Sequence, residues 1–171
     1  MIRHLTRADY RVMPWANGRG QTVEMIRVDG PAGMLWRLSL ASVVEDGPFS
    51  IFPGIARNLT VLTGPGFDLL GKGIRLRADP LVPVAFSGEA GLRAAGVTAA
   101  SEDFNVMTAR TLPSPQVWLQ APGAVAAGGT LCLLALEDGD GIAAHDLLIG
   151  DQAVTAAVPS LAVRLDVPFP A

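Results

Sequence analysis

Short apolar segments recur along the whole chain, each closed off by glycine or proline, of which there are 19 and 13. Val, Ile, Leu and Phe dominate these segments, and the bounding residues are turn formers. The pattern predicts strands over 22–28, 34–42, 58–63, 67–70, 74–77 and 82–86. A second series is predicted over 116–119, 130–136, 146–148, 152–156 and 161–167. Even spacing of short strands reads as an antiparallel sandwich or barrel. No window longer than about ten residues keeps a helical period free of glycine or proline. Residues 1–10 are expected to form a turn of helix.

Segment 34–42, MLWRLSLAS, separates its two faces. Trp36, Leu38 and Leu40 fall on one side, and Leu35, Arg37, Ser39 and Ala41 on the other, because side chains alternate along a strand. The first face is core. The second reads either as a solvated outer face or as a cavity wall on which a guanidinium and a hydroxyl fix a ligand. Segments 66–88 and 145–167 share a loose plan of strand, glycine turn, strand, proline, strand. The repeat suggests two β modules, one over 1–110 and one over 111–171, the second completed by strands from the first part of the chain. Their boundary would fall near TARTLPSPQ, 108–116.

Of the 171 residues, half are hydrophobic and 17% charged, enough to bury a sizeable core and unlike a disordered chain. Thirteen basic and sixteen acidic residues give a net charge of -3, which argues against a nucleic-acid partner. There is no signal-peptide pattern and no apolar run of ~18 residues, so no membrane association is expected and a cytoplasmic location is. Cys132, the one cysteine, sits in the apolar run TLCLLAL and reads as a buried structural thiol. His4 and His145 are the only histidines, with no HxH, HxxxH or CxxC spacing. No metal site and no cofactor are therefore expected. His145 and Asp146 read as a surface pair, and 136–141 as an acidic hairpin turn.

Four stretches carry candidate chemistry. MPWANGRGQTVEM, 13–25, sets Trp15 and Asn17 beside Gly18 and Gly20, either as a glycine-rich turn or as a ligand wall. WRLSLAS is the second stretch. EDGPFSIFPGIAR, 45–57, is long for a hairpin connection and holds Phe49 and Phe52 between two turn signals, with Arg57 at its end. It reads as a lip over a barrel mouth, with Arg57 near the opening. EDFNVM, 102–107, would place Asp103, Asn105 and Met107 on one face if extended; otherwise it is an exposed edge.

PWANGRG, WRLSLAS, DGPFSIFPGIAR, FSG at 86–88 and DFNVM, in that order between residues 14 and 107, resemble the HutD/Ves family. That resemblance implies an all-β, RmlC-like double cupin (bicupin), two antiparallel β-barrel or jelly-roll modules, without a metal-binding histidine cluster and commonly a homodimer. It places Trp15, Asn17, Gly18, Arg37, Ser39, Phe49, Ser50, Phe52, Arg57, Phe86, Asp103, Asn105 and Met107 at motif positions. Ala16 replaces a lysine of the family pattern and Arg19 a glycine. The family's link to histidine utilisation implies a sensor or regulator that binds a small carboxylate such as urocanate or formimino-glutamate. In that role Arg37 and Arg57 would hold the carboxylate. Asn17 and Asn105 would read an amide or imidazole edge, and Trp15, Phe49, Phe52 and Phe86 would wall the site. Asp103 could instead neutralise an arginine. Two alternatives stay open: a metal-independent isomerase or hydrolase, with Asp103, Asp46 or Glu24 as base, and a protein-interaction module using the long loop.

Overall fold

The computed structural model describes residues 1–15, 18 and 20–169. In chain order the first half runs β1 (Ile2–Leu5), a 3-10 turn (Arg7–Asp9), β2 (Arg11–Pro14), β3 (Gln21–Gly30), β4 (Gly33–Val43), β5 (Gly47–Pro48), β6 (Ile55–Thr63), β7 (Phe67–Gly71) and β8 (Ile74–Ala78). It continues with β9 (Val84–Ser87), β10 (Arg93–Ala95), β11 (Ser101–Ala109), β12 (Gln116–Gln120), β13 (Gly123–Val125), β14 (Thr130–Ala135), β15 (Leu147–Gly150), β16 (Val154–Ala156) and β17 (Ser160–Leu165). The fold is all-β, and every ladder between these strands is antiparallel. Among the described residues no helix is long and apolar enough to cross a membrane.

The chain divides into two compact units, 11–111, and 1–10 together with 112–171. The helical turn expected in 1–10 is confined to Arg7–Asp9, which Thr6 and Asp9 cap reciprocally. The residues before it form β1, an edge strand that pairs with β15 in the later unit. That unit is a five-stranded sheet, β1-β15-β14-β17-β12, with a two-stranded ribbon of β13 and β16. Val125, Leu131, Leu133, Ala156 and Ala162 form one core cluster in it. Cys132 is fully buried in β14, and burial pushes its thiol up, away from the reactive thiolate. Asp146 is also buried, and its carboxylate bonds His4 Nε2 at 2.7 Å. Asp146 is thus not the surface residue expected from the sequence, and it pairs across to β1.

The unit 11–111 carries a six-stranded sheet, β2-β3-β4-β11-β6-β9, and a four-stranded one, β5-β10-β7-β8. Val43, Leu59 and Val61 of the large sheet meet Phe67, Leu69, Ala78 and Ala94 of the small one in a single core cluster. Burial of these apolar faces is the main stabilising contribution, at roughly 25 cal/mol per Å² removed from water. The repeat read in the sequence is three strands in each segment, but the pairing differs. β7 pairs with β8, whereas β15 pairs with β1 and β14, and β16 with β13.

β11 is not an exposed edge. It lies between β4 and β6, and Asp103 to Thr108 are all buried. The polar residues of DFNVM therefore face inward, and the reason is a cavity.

Candidate functional site

Strand alternation puts one set of residues on the inner face of the large sheet. The register sets Met107 between Arg37 and Arg57, Asn105 between Ser39 and Leu59, and Asp103 between Ala41 and Val61. Toward Val43, Leu59 and Val61 this face is sealed by the small sheet. Its polar part borders a cavity of about 470 Å³, within the roughly 300–1,000 Å³ usual for small-molecule sites. Arg37, Ser39 and Ala41 supply one wall and Asp103, Asn105 and Met107 the next. Arg57, Thr22 and Trp15 supply the others, with Pro48, Phe49, Ser50 and Phe52 from the long loop. Of the two readings of WRLSLAS, the cavity wall is the one realised.

The loop is held in place by backbone. Asp46 accepts a bond from Val97 N–H at 2.8 Å, and these amide bonds keep its carboxyl below the usual range. Gly47 and Pro48 pair with Ala94 and Arg93. Phe49 N–H donates to Leu92 O and Phe52 N–H to Gly88 O, at 2.9 and 2.8 Å. Gly88 N–H returns to Ile55 O. A Cβ on Gly88 would lie 2.6 Å from Phe52 O and 2.7 Å from Ile55 O, which explains the glycine of FSG. Gly20 is constrained in the same way: a Cβ there would meet the Trp15 ring at 2.8 Å. Trp15 Nε1–H donates to Thr22 Oγ1 at 3.0 Å, which fixes the indole.

Two guanidiniums dominate the electrostatics. Arg57 lies within β6 and is 8% exposed, so it is not a lip residue near the opening as the sequence suggested. Its strand begins at Ile55, three residues earlier than the apolar pattern indicates. The guanidinium donates to Asn105 Oδ1 at 2.8 Å and sits 5.2, 5.5 and 5.1 Å from the Phe49, Phe52 and Phe86 ring centres. Burial, then the repulsion of Arg37, lowers its pKa to about 10, against the attraction of Asp103. It remains cationic at neutral pH. Arg37 donates to Met107 Sδ at 3.4 Å, lies 5.7 Å from the Phe52 centre and pairs with Glu24 at 3.8 Å. Burial lowers its pKa too. The Nε of both arginines is shut off from water and has no partner.

Asp103 is 1% exposed, and its Oδ1 is buried without a hydrogen bond. Burial raises its pKa to about 8, against the pull of Arg57 and with a small addition from Glu102. Its neighbours across the ladders, Ala41 and Val61, offer no solvation.

Trp15, Arg37, Ser39, Phe49, Phe52, Arg57, Asp103, Asn105 and Met107 thus converge on one cavity. Phe86 does not line it. Its ring backs the site, against Phe49 at 6.5 Å and over Arg57. Asn17, with the Ala16 and Arg19 departures, lies outside the described residues. Asp46 serves the loop rather than the cavity, which removes it as a candidate base. Thr22 was not anticipated; its position opposite Ala41 became visible only with the β3–β4 register. Glu24 was considered only as a base, and the structure makes it the counter-ion of Arg37.

A Pseudomonas putida protein, described as an uncharacterized 21.2 kDa protein in the hutC 3' region, is 44% identical over 113 residues, covering 63% of this chain and 58% of that protein. Protein Ves of Cronobacter sakazakii is 36% identical over 114 residues, covering 64% of this chain and 63% of Ves. The chain thus spans less than two thirds of the length of these relatives. Among solved structures, a conserved protein of unknown function from Pseudomonas aeruginosa PAO1 superposes with a TM-score of 0.84 at 33% identity, over 97% of this chain and 99% of that one. HutD from Pseudomonas fluorescens SBW25 superposes with a TM-score of 0.82 at 28% identity, over 95% and 96%. The all-β fold is that of a double cupin, and the HutD family model matches residues 7–163: this chain belongs to the HutD family.

Proposed function

We propose that this protein binds a small planar or amide-bearing carboxylate in the cavity of its 11–111 unit, and that it acts as a sensor or regulator in histidine catabolism. The observation that carries the reading is a pair of guanidiniums, buried Arg57 and half-buried Arg37, flanking one phenyl ring, Phe52, on the wall of that cavity. A guanidinium offers a carboxylate two parallel donors. Nearby carboxylates do not cancel both charges: Glu24 answers Arg37, while burial favours the neutral form of Asp103. The family membership, the HutD name of one structural relative and the hutC context of the Pseudomonas putida protein support urocanate or formimino-glutamate as the ligand.

The test is calorimetric titration of the purified protein with each compound. Sub-millimolar binding, lost in Arg37→Ala, supports the reading. Absence of heat with both ligands in a folded sample rejects the ligand assignment. A second reading, an isomerase or hydrolase working by acid–base chemistry, draws on Asp103, whose pKa near 8 suits proton transfer at neutral pH. Product formation detected by mass spectrometry, and abolished in Asp103→Asn, would favour it.

A further inference from the structure

The polar groups around the cavity are mostly donors. Arg57 donates to Asn105 Oδ1, so the Asn105 amide nitrogen is the end left to interact. Thr22 Oγ1 accepts from Trp15, leaving its hydroxyl proton to give. Ser39 adds a hydroxyl, and Arg37 and Arg57 supply only N–H groups. Glu24, a second carboxylate near these groups, is engaged with Arg37. In such a setting an ionised Asp103 would be an acceptor facing a ligand made of acceptors.

We propose that Asp103 works as a carboxylic acid, donating its proton to an oxygen of the bound carboxylate and so making the protonated side chain a determinant of ligand choice. The inference rests on the carboxylate-binding reading above and assigns the residue's part in it. Asp103 lines the cavity, and its Oδ1 is buried with no partner in the protein, between Ala41 and Val61. An unpaired carboxylate there is costly, whereas an acid with a ligand oxygen to bond is not. Among the described residues, Arg57 from β6 and Glu102 next to it on β11 bear on it directly, while Arg37 from β4 acts on Arg57 and Glu24 from β3 pairs with Arg37. Glu102 belongs to the opposite face by strand alternation. Arg57 bonds Asn105 and packs over three phenyl rings, and among the described residues it forms no ion pair with Asp103 within 4 Å. The site thus favours ligands that are acceptors throughout this region, and its affinity depends on a proton held by the protein.

The experiment is titration of cinnamate, a planar carboxylate with no group that titrates near neutrality, into wild-type and Asp103→Asn protein between about pH 6 and about pH 9, below the point at which Arg57 loses its charge. Wild-type affinity should hold steady up to about pH 8 and then fall about tenfold per pH unit. Asp103→Asn, which keeps a donor that does not titrate, should bind within a few-fold of wild type at low pH and show no such fall. Infrared difference spectra between the two proteins should show a protonated carboxyl band at about pH 6. Binding that is flat with pH in wild type, or a fall retained in Asp103→Asn, overturns the donor role alone. A missing protonated band also overturns it, whatever the variant's stability. No cinnamate binding at any pH, with the band present, overturns the carboxylate reading of the cavity and the donor role with it.

Discussion

Replacing Asp103 by Asn should alter folding stability in a pH-dependent way whose size follows from the structure. The native state holds the Asp103 proton up to about pH 8, while the unfolded chain releases it near the ordinary value of 3.8. The stability contributed by this group is therefore complete below about pH 4 and is lost as pH rises through 8. One pKa unit corresponds to about 1.4 kcal/mol, so wild type should lose about 4 kcal/mol from this source between pH 5 and pH 8. Asn is nearly isosteric and carries no charge at any pH, so the variant escapes that loss. Urea unfolding followed by tryptophan fluorescence, with Trp15 and Trp36 in this unit, gives the two stabilities side by side. The variant should gain on wild type by about 1.4 kcal/mol per pH unit over that range and run parallel to it above. A stability difference constant from pH 5 to 8 would refute the argument that burial keeps Asp103 neutral.

Three further outcomes follow from the same geometry. Phe52→Ala removes the ring that both arginines face, and at about 0.5–2 kcal/mol per cation–π contact it should weaken carboxylate binding by about tenfold in calorimetry. Gly88→Ala forces a Cβ onto two backbone carbonyls that cannot yield cheaply; it should cost about 2 kcal/mol in urea unfolding and detach the loop, with unchanged stability as the contrary result. Glu24→Gln removes the counter-ion of Arg37, so carboxylate affinity should rise several-fold and become more salt-sensitive; a fall would show that Glu24 orients the arginine rather than neutralising it.

The strands with alternating or continuous apolar residues were legible because burial writes its period into the sequence. β4 announced both of its faces, and the cavity wall was one of the two readings its pattern allowed. β11 was harder because its inward face is polar: Asp103 and Asn105 look like edge residues until a cavity is known to lie inside the sheet. β5 and β10 are two and three residues long and exist only through their pairing with distant segments, so local pattern carries no sign of them. Arg57 was assigned to the loop because Ile55 and Ala56 are too few to declare a strand. The Glu24–Arg37 pair depends on a register shift in β3 between Glu24 and Ile26, which sequence spacing does not disclose.

In the proposed function Arg37 and Arg57 together receive the ligand carboxylate. The direct measurement is a ¹⁵N–¹H spectrum of the arginine Nε–H groups during titration with urocanate. Both Nε atoms are shielded from water and unpartnered in the free protein, so their signals should be separable from those of exposed arginines. These two signals should move together and saturate with one affinity, while exposed Arg75 stays still. Saturable binding that leaves both signals unmoved would contradict the proposal.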